Sequence, residues 1–162
     1  MSRAARMPVR AGALLLCMVL GALAPGALQA AIGSCTVSAT GVIFGTYTPL
    51  QAAPLASAGT ISIACTGVTG RTKITIDLNT GASGNYATRT LIAGAFTLNY
   101  NLYLDAANTE IWGNGTGVSV AGTATIRRRI PDVTLTVYGA VAARQDPAPG
   151  SYTDNITVSV NY

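Results

Sequence analysis

The side chains able to do chemistry are few: three cysteines, six carboxylates, ten cations and no histidine in 162 residues. Without an imidazole, neither a Ser-His-Asp nor a Cys-His nucleophile can be assembled. A histidine-ligated metal centre is excluded for the same reason. Paired carboxylates could serve glycoside hydrolysis. However, Asp77, Asp105, Glu110, Asp132, Asp146 and Asp154 mostly stand beside Gly, Asn or Pro, the company of solvated turns. No GxxxxGK[ST] run is present to cradle a phosphate. The reading is a non-enzyme with no cofactor and no metal.

Two cysteines, Cys35 and Cys65, lie beyond the N-terminal region. In an exported chain an even pair reads as one disulfide. It would close a loop of about 30 residues and contribute roughly 3–4 kcal/mol by constraining the unfolded chain. Two buried thiols are the alternative, and a zinc pair lacks a third thiol or any His. Arg127-Arg128-Arg129 is the one charge cluster. On a strand Arg128 would point away from its two neighbours. With Pro131 close behind, the triplet is expected to be a solvated edge that discourages wrong pairing. Trp112 could stack a sugar, but a lone Trp in a small β protein is expected in the core.

The elements that must position these residues begin after a leader. Arg3, Arg6 and Arg10 are followed by an apolar run from Ala11 to Leu23, then Pro25-Gly26 and Ala27-Leu28-Gln29-Ala30. That order of basic, apolar and small residues is a secretory signal peptide, here assigned to residues 1–30, with cleavage after Ala30 or Ala31. The run is too short to span a bilayer. Cys17 follows a bulky Leu16, which argues against a lipidation site. Three of the ten cations belong to the leader, leaving seven against six acids. The pI of 9.2 is therefore mostly a property of the leader and gives no case for a nucleic-acid partner. No later segment is apolar enough to cross a membrane.

Downstream, nearly every segment alternates. Thr60–Ala64, Thr72–Leu78, Thr97–Leu104 and Thr134–Tyr138 each place apolar residues at every second position. The last is the clearest, with Ile156, Val158, Val160 and Tyr162 set between Asn155, Thr157, Ser159 and Asn161. Period-two alternation marks a strand with one face in a core. Gly, Pro, Asn and Asp punctuate the runs at spacings suited to a sandwich. The expectation is an all-β domain over residues 31–162, an antiparallel β-sandwich with Ile156, Val158, Val160 and Tyr162 facing its core.

The order and spacing of short motifs then resemble a known family. They are Cys35–Val42, Phe44-Gly45-Thr46-Tyr47-Thr48-Pro49, Ile61–Cys65, Arg89-Thr90-Leu91, Leu98–Tyr103, Trp112-Gly113-Asn114-Gly115, Tyr138-Gly139, Gln145, Pro149–Asp154 and the terminal Tyr162. Together they resemble the spore coat protein U family, which includes Csu-type subunits of archaic chaperone–usher pili. The resemblance implies an immunoglobulin-like sandwich lacking its last strand. A periplasmic chaperone lends that strand, and at the outer-membrane usher a sibling subunit's N-terminal strand replaces it, by β-augmentation of an open sheet edge. It implies that Ile156, Val158, Val160 and Tyr162 flank the open groove, with Tyr162 at the chaperone contact. It also implies export through the periplasm to a surface pilus.

The basic stretch from Arg127 to Pro131 departs from that pattern. The leader assignment leaves Ala31, Ile32, Gly33 and Ser34 ahead of Cys35, a reach of roughly 13 Å. That is short for a donor strand, so a place at a fibre end is expected. The competing reading is a self-complete secreted or coat-associated sandwich that binds a carbohydrate or other surface ligand.

Overall fold

A computed structural model of the chain describes residues 32–162; the leader assigned to residues 1–30 lies outside the described residues. Alternating segments form two facing sheets. The first has five strands in the order β1 (Ser34–Thr40), β2 (Leu55–Thr66), β8 (Asp132–Val141), β5 (Phe96–Tyr103) and β4 (Arg89–Ala93). The second runs β6 (Trp112–Gly113), β7 (Val120–Arg127), β3 (Arg71–Leu78) and β9 (Val158–Asn161). All pairings are antiparallel except the short β6–β7 pair, which is parallel. Among the described residues the helical content is one 3-10 turn, Gly81–Ser83, and no helix is long and apolar enough to cross a membrane.

The inward positions of each strand meet between the sheets. Ile61 and Ile63 of β2, Leu98, Tyr100 and Leu102 of β5, and Val137 and Val141 of β8 pack on Ile74, Ile76 and Leu78 of β3 and Ile126 of β7. Burial of a large aliphatic side chain contributes about 1.5–3 kcal/mol, so this layer supplies most of the driving force. Trp112 is fully buried, and its Nε1–H donates to the Ile76 carbonyl at 2.9 Å. The residue under its ring has to be glycine: a Cβ on Gly122 would stand 2.7 Å from Trp112 Cζ2.

Cys35 and Cys65 are directly opposite in the β1–β2 register and form a disulfide with Cα atoms 4.1 Å apart. It fastens an edge strand that is otherwise mostly exposed. Replacing both cysteines by alanine is expected to cost about 3 kcal/mol, read as a lower denaturation midpoint. The wild-type protein should have the mass of the oxidised pair. Free thiols in periplasmic material, or an unchanged midpoint, would count against this role.

The arginine triplet is not a strand edge. Arg127 ends β7, and Arg128 and Arg129 form the turn before β8, closed by Arg127 N–H to Ile130 O (3.0 Å) and Ile130 N–H to Arg127 O (2.9 Å). Arg127 faces outward by alternation with the buried Ile126, and the turn frees Arg128 and Arg129 from the strand, so all three are exposed.

Candidate functional site: an open slot between the sheets

Each sheet ends at one flank of the sandwich with a strand that, among the described residues, has no partner strand on its outer side: β1 in the first and β9 in the second. The chain between them builds a slot. After Thr40 it leaves β1 and runs from Gly41 to Tyr47 outside any strand. Val42 and Phe44 still point inward and pack on the core, while Ile43 is 81% exposed. Phe44 meets Tyr100 edge-on, ring centres 5.8 Å apart. Gly139 of β8 admits both residues, since a Cβ there would lie 2.7 Å from Val42 Cγ1 and 2.9 Å from Phe44 Cζ. Tyr47 pins the far end, its hydroxyl donating to Ala142 O at 3.0 Å and accepting from Gln145 N–H at 2.9 Å.

The final segment is the opposite wall. Thr153 and Ile92 exchange two backbone hydrogen bonds (2.8 and 3.1 Å) at the edge of the first sheet. The chain then crosses to the second sheet, where β9 pairs with β3 from Leu78↔Val158 to Thr75↔Asn161. Asn79 holds the crossing: its N–H donates to Thr157 O at 3.1 Å and its Oδ1 accepts from Thr157 N–H at 3.0 Å. From Ser151 to Val160 exposure alternates strictly, with Tyr152, Asp154, Ile156, Val158 and Val160 half-buried.

Two clefts open between these walls, of about 220 Å³ and about 790 Å³. They share Val42, Phe44, Leu91 and Asp154 and so form one continuous slot. Its floor is the core itself, with Ile61, Leu78, Leu102 and Val137 at one end and Leu98 and Val141 at the other. Asp154, the carboxylate in the slot, is already occupied. It accepts Tyr100 Oη at 2.7 Å, Ala82 N–H at 2.9 Å and Asn155 N–H at 2.8 Å. Burial, reinforced by the Asp154 hydrogen bond, raises the Tyr100 phenol well above its ordinary range, so it remains a donor. Among the described residues no three of His, Cys, Asp or Glu gather as a metal site. A long apolar slot bordered by free main chain fits an extended peptide.

Of the residues expected at this site, Ile156, Val158 and Val160 pack against the core from the second wall. Ile156 and Val158 line the smaller cleft. Tyr162 departs from the expectation of an inward position: it lies beyond β9 and is 58% exposed, because the β3–β9 ladder ends at Asn161. The other wall was not anticipated. Its signal was present in Val42-Ile43-Phe44, an alternating inward-outward-inward triplet, but it is too short to separate from a loop by period alone.

The remaining motif residues brace the slot. Arg89 has no exposed surface. Its guanidinium donates to Asn79 O (3.2 and 2.8 Å), Trp112 O (2.7 Å) and Asn101 Oδ1 (2.6 Å), and lies 5.3 Å from the Tyr86 ring centre. Gln145 does for Asn99 what a neighbouring strand would: it accepts Asn99 N–H at 2.7 Å and donates to Asn99 O at 2.9 Å.

Residues 24–159 match the Spore Coat Protein U domain. The chain belongs to that family. No curated protein matches it. Among solved structures, this Spore Coat Protein U domain is similar to a chain of the CsuC–CsuE chaperone–tip adhesion subunit pre-assembly complex, from archaic chaperone-usher Csu pili of Acinetobacter baumannii. Identity is 26% and the TM-score 0.55, over 80% of this chain and 39% of the other. The present chain thus spans about two fifths of that neighbour's length.

Proposed function

We propose that this chain is an exported structural subunit of a surface pilus built by the chaperone–usher route, and that its slot receives a donated β-strand. The carrying observation is the slot itself. Its floor is the hydrophobic core, and its walls are Gly41–Tyr47, which runs on from β1 outside any strand, and the segment ending in β9. An inserted strand would hydrogen-bond along β9 and present alternate side chains to the floor, which is β-augmentation. The partners are a periplasmic chaperone that covers the slot in transit, an outer-membrane usher, and sibling subunits that fill it in the fibre. The role is structural rather than catalytic. Family membership and the likeness to a pilus pre-assembly complex support this reading.

We place the subunit at a fibre end. Gly33 N–H donates to Thr66 O at 2.9 Å and Ile32 packs on the core, so the residues just ahead of Cys35 are held by their own domain. With cleavage after Ala30, almost nothing remains free to donate.

Producing the chain in the periplasm with and without its chaperone tests the main reading. Soluble monomer should accumulate only with the chaperone, and equal amounts of cooperatively melting monomer without it would refute strand donation. For position, the chain should capture a sibling's N-terminal peptide while its own N-terminal peptide complements no sibling. Immunogold labelling along the whole shaft would overturn the end position.

A further inference from the structure

Seven Lys and Arg side chains fall among the described residues, and five of them occupy one corner: Arg71, Lys73, Arg127, Arg128 and Arg129. Arg71 and Arg127 are directly opposite in the β3–β7 register, so their side chains share a face, an arrangement that destabilises like charges. Lys73 is two residues along on that same outer face, because Ile74 and Ile76 point inward. Arg128 and Arg129 form the adjoining turn. All five are exposed, and among the described residues none has a carboxylate within salt-bridge distance. The acid nearest the turn in sequence, Asp132, projects from the first sheet on the side away from the inward-pointing Val133.

At the tip of this corner Ile130 is 60% exposed. The corner is also rigid. The turn is closed by its two backbone bonds, and the adjoining Pro131 carbonyl accepts from the N–H of disulfide-bonded Cys65 at 3.2 Å. It is independent of the slot, since β9 flanks β3 on the side away from β7 and its pairing stops at Thr75.

We infer that this corner docks the chain onto a phosphate-rich lipid surface. Guanidinium forks match phosphate oxygens two at a time, and a cluster of this size is strongly attracted to an anionic leaflet. The exposed Ile130 favours a lipid surface over a soluble polyanion, because an apolar tip ringed by cations gains by entering the boundary between headgroups and acyl chains. The corner's own residues include no aromatic, the side chain on which nucleic-acid bases stack.

The test is co-sedimentation of the mature chain, purified as its complex with the chaperone and read against the chaperone alone, with phosphatidylcholine vesicles, with and without phosphatidylglycerol. Binding should require the anionic lipid and weaken with added salt. Arg128→Ser with Arg129→Ser should lower partitioning about 25-fold, at about fivefold per cation. Ile130→Ser should lower it about tenfold. Arg144→Ser, which removes an exposed cation elsewhere, should leave it nearly unchanged. All are exposed positions, and circular dichroism checks the fold. Equal partitioning onto neutral vesicles, an Arg144→Ser effect as large as that of the turn arginines, or unchanged binding by Ile130→Ser with full displacement by soluble polyphosphate would each overturn the assignment.

Discussion

Val158→Asp should abolish accumulation of soluble protein, while Thr157→Asp, one residue earlier, should leave it near normal. Val158 lines the smaller cleft and pairs with the buried Leu78. A carboxylate there sits over an apolar floor with no cation beside it, and burying an unpaired charge costs several kcal/mol, of order the whole stability of a small domain. It also places a charge where a donated strand would set an apolar side chain. Thr157 is exposed on the opposite face of the same segment and lies against Asn79 rather than an acid, so the same charge remains solvated. The contrast separates a facing effect from a general intolerance of acid near the C-terminus. The measurements are periplasmic yield and the melting curve of each variant beside wild type. Normal yield and melting for Val158→Asp would sink the assignment of β9 as a wall of the slot.

The second large effect is expected at Arg89. Its guanidinium satisfies the carbonyls of Asn79 and Trp112 and the side chain of Asn101 from a position with no exposed surface. Arg89→Met fills much of the volume but withdraws the donor from the Asn79 and Trp112 carbonyls and leaves Asn101 Oδ1 with Leu102 N–H alone, and each buried acceptor left unmade costs about 1–3 kcal/mol. A total of about 4 kcal/mol lowers the melting midpoint by about 10 °C or more in a domain of this size. The damage should spread to the slot, because Asn79 also holds Thr157 through its N–H and its Oδ1. Capture of a donor peptide should therefore weaken along with stability. Arg89→Lys keeps the charge but cannot fork to three acceptors, and should fall between wild type and Arg89→Met. A midpoint for Arg89→Met within about 2 °C of wild type would show that the brace carries little.

Much of the fold was legible because strand alternation is a local property. Thr72–Leu78 and Thr134–Tyr138 became β3 and part of β8 with their apolar residues inward, as period two requires. The cysteine pair was legible because only two thiols lie beyond the leader region, and the structure sets them directly opposite on adjacent strands. Burial of Trp112 followed from its type, although its donor role to Ile76 and its need for Gly122 did not. Arg89 stood in a short motif with nothing local to mark it as buried. Its acceptors at positions 79, 101 and 112 come from three separate segments, and only folding brings them within reach.

The amino-acid sequence by itself determined which residues face inward in β2, β3, β5, β8 and β9, that the domain is a sandwich, and that Cys35 would pair with Cys65. Tertiary structure alone decided which strands are neighbours, and with that the position of the slot. Alternation states that a strand has an inner face but not what lies beside its edge. Hence the wall from Gly41 to Tyr47, the exposure of Tyr162 past the end of the β3–β9 ladder, and the meeting of Arg71 with Arg127 all appear only in three dimensions. Each depends on backbone pairing between segments far apart in the chain, and pairing partners are chosen by the packing of the whole core rather than by any residue's immediate neighbours.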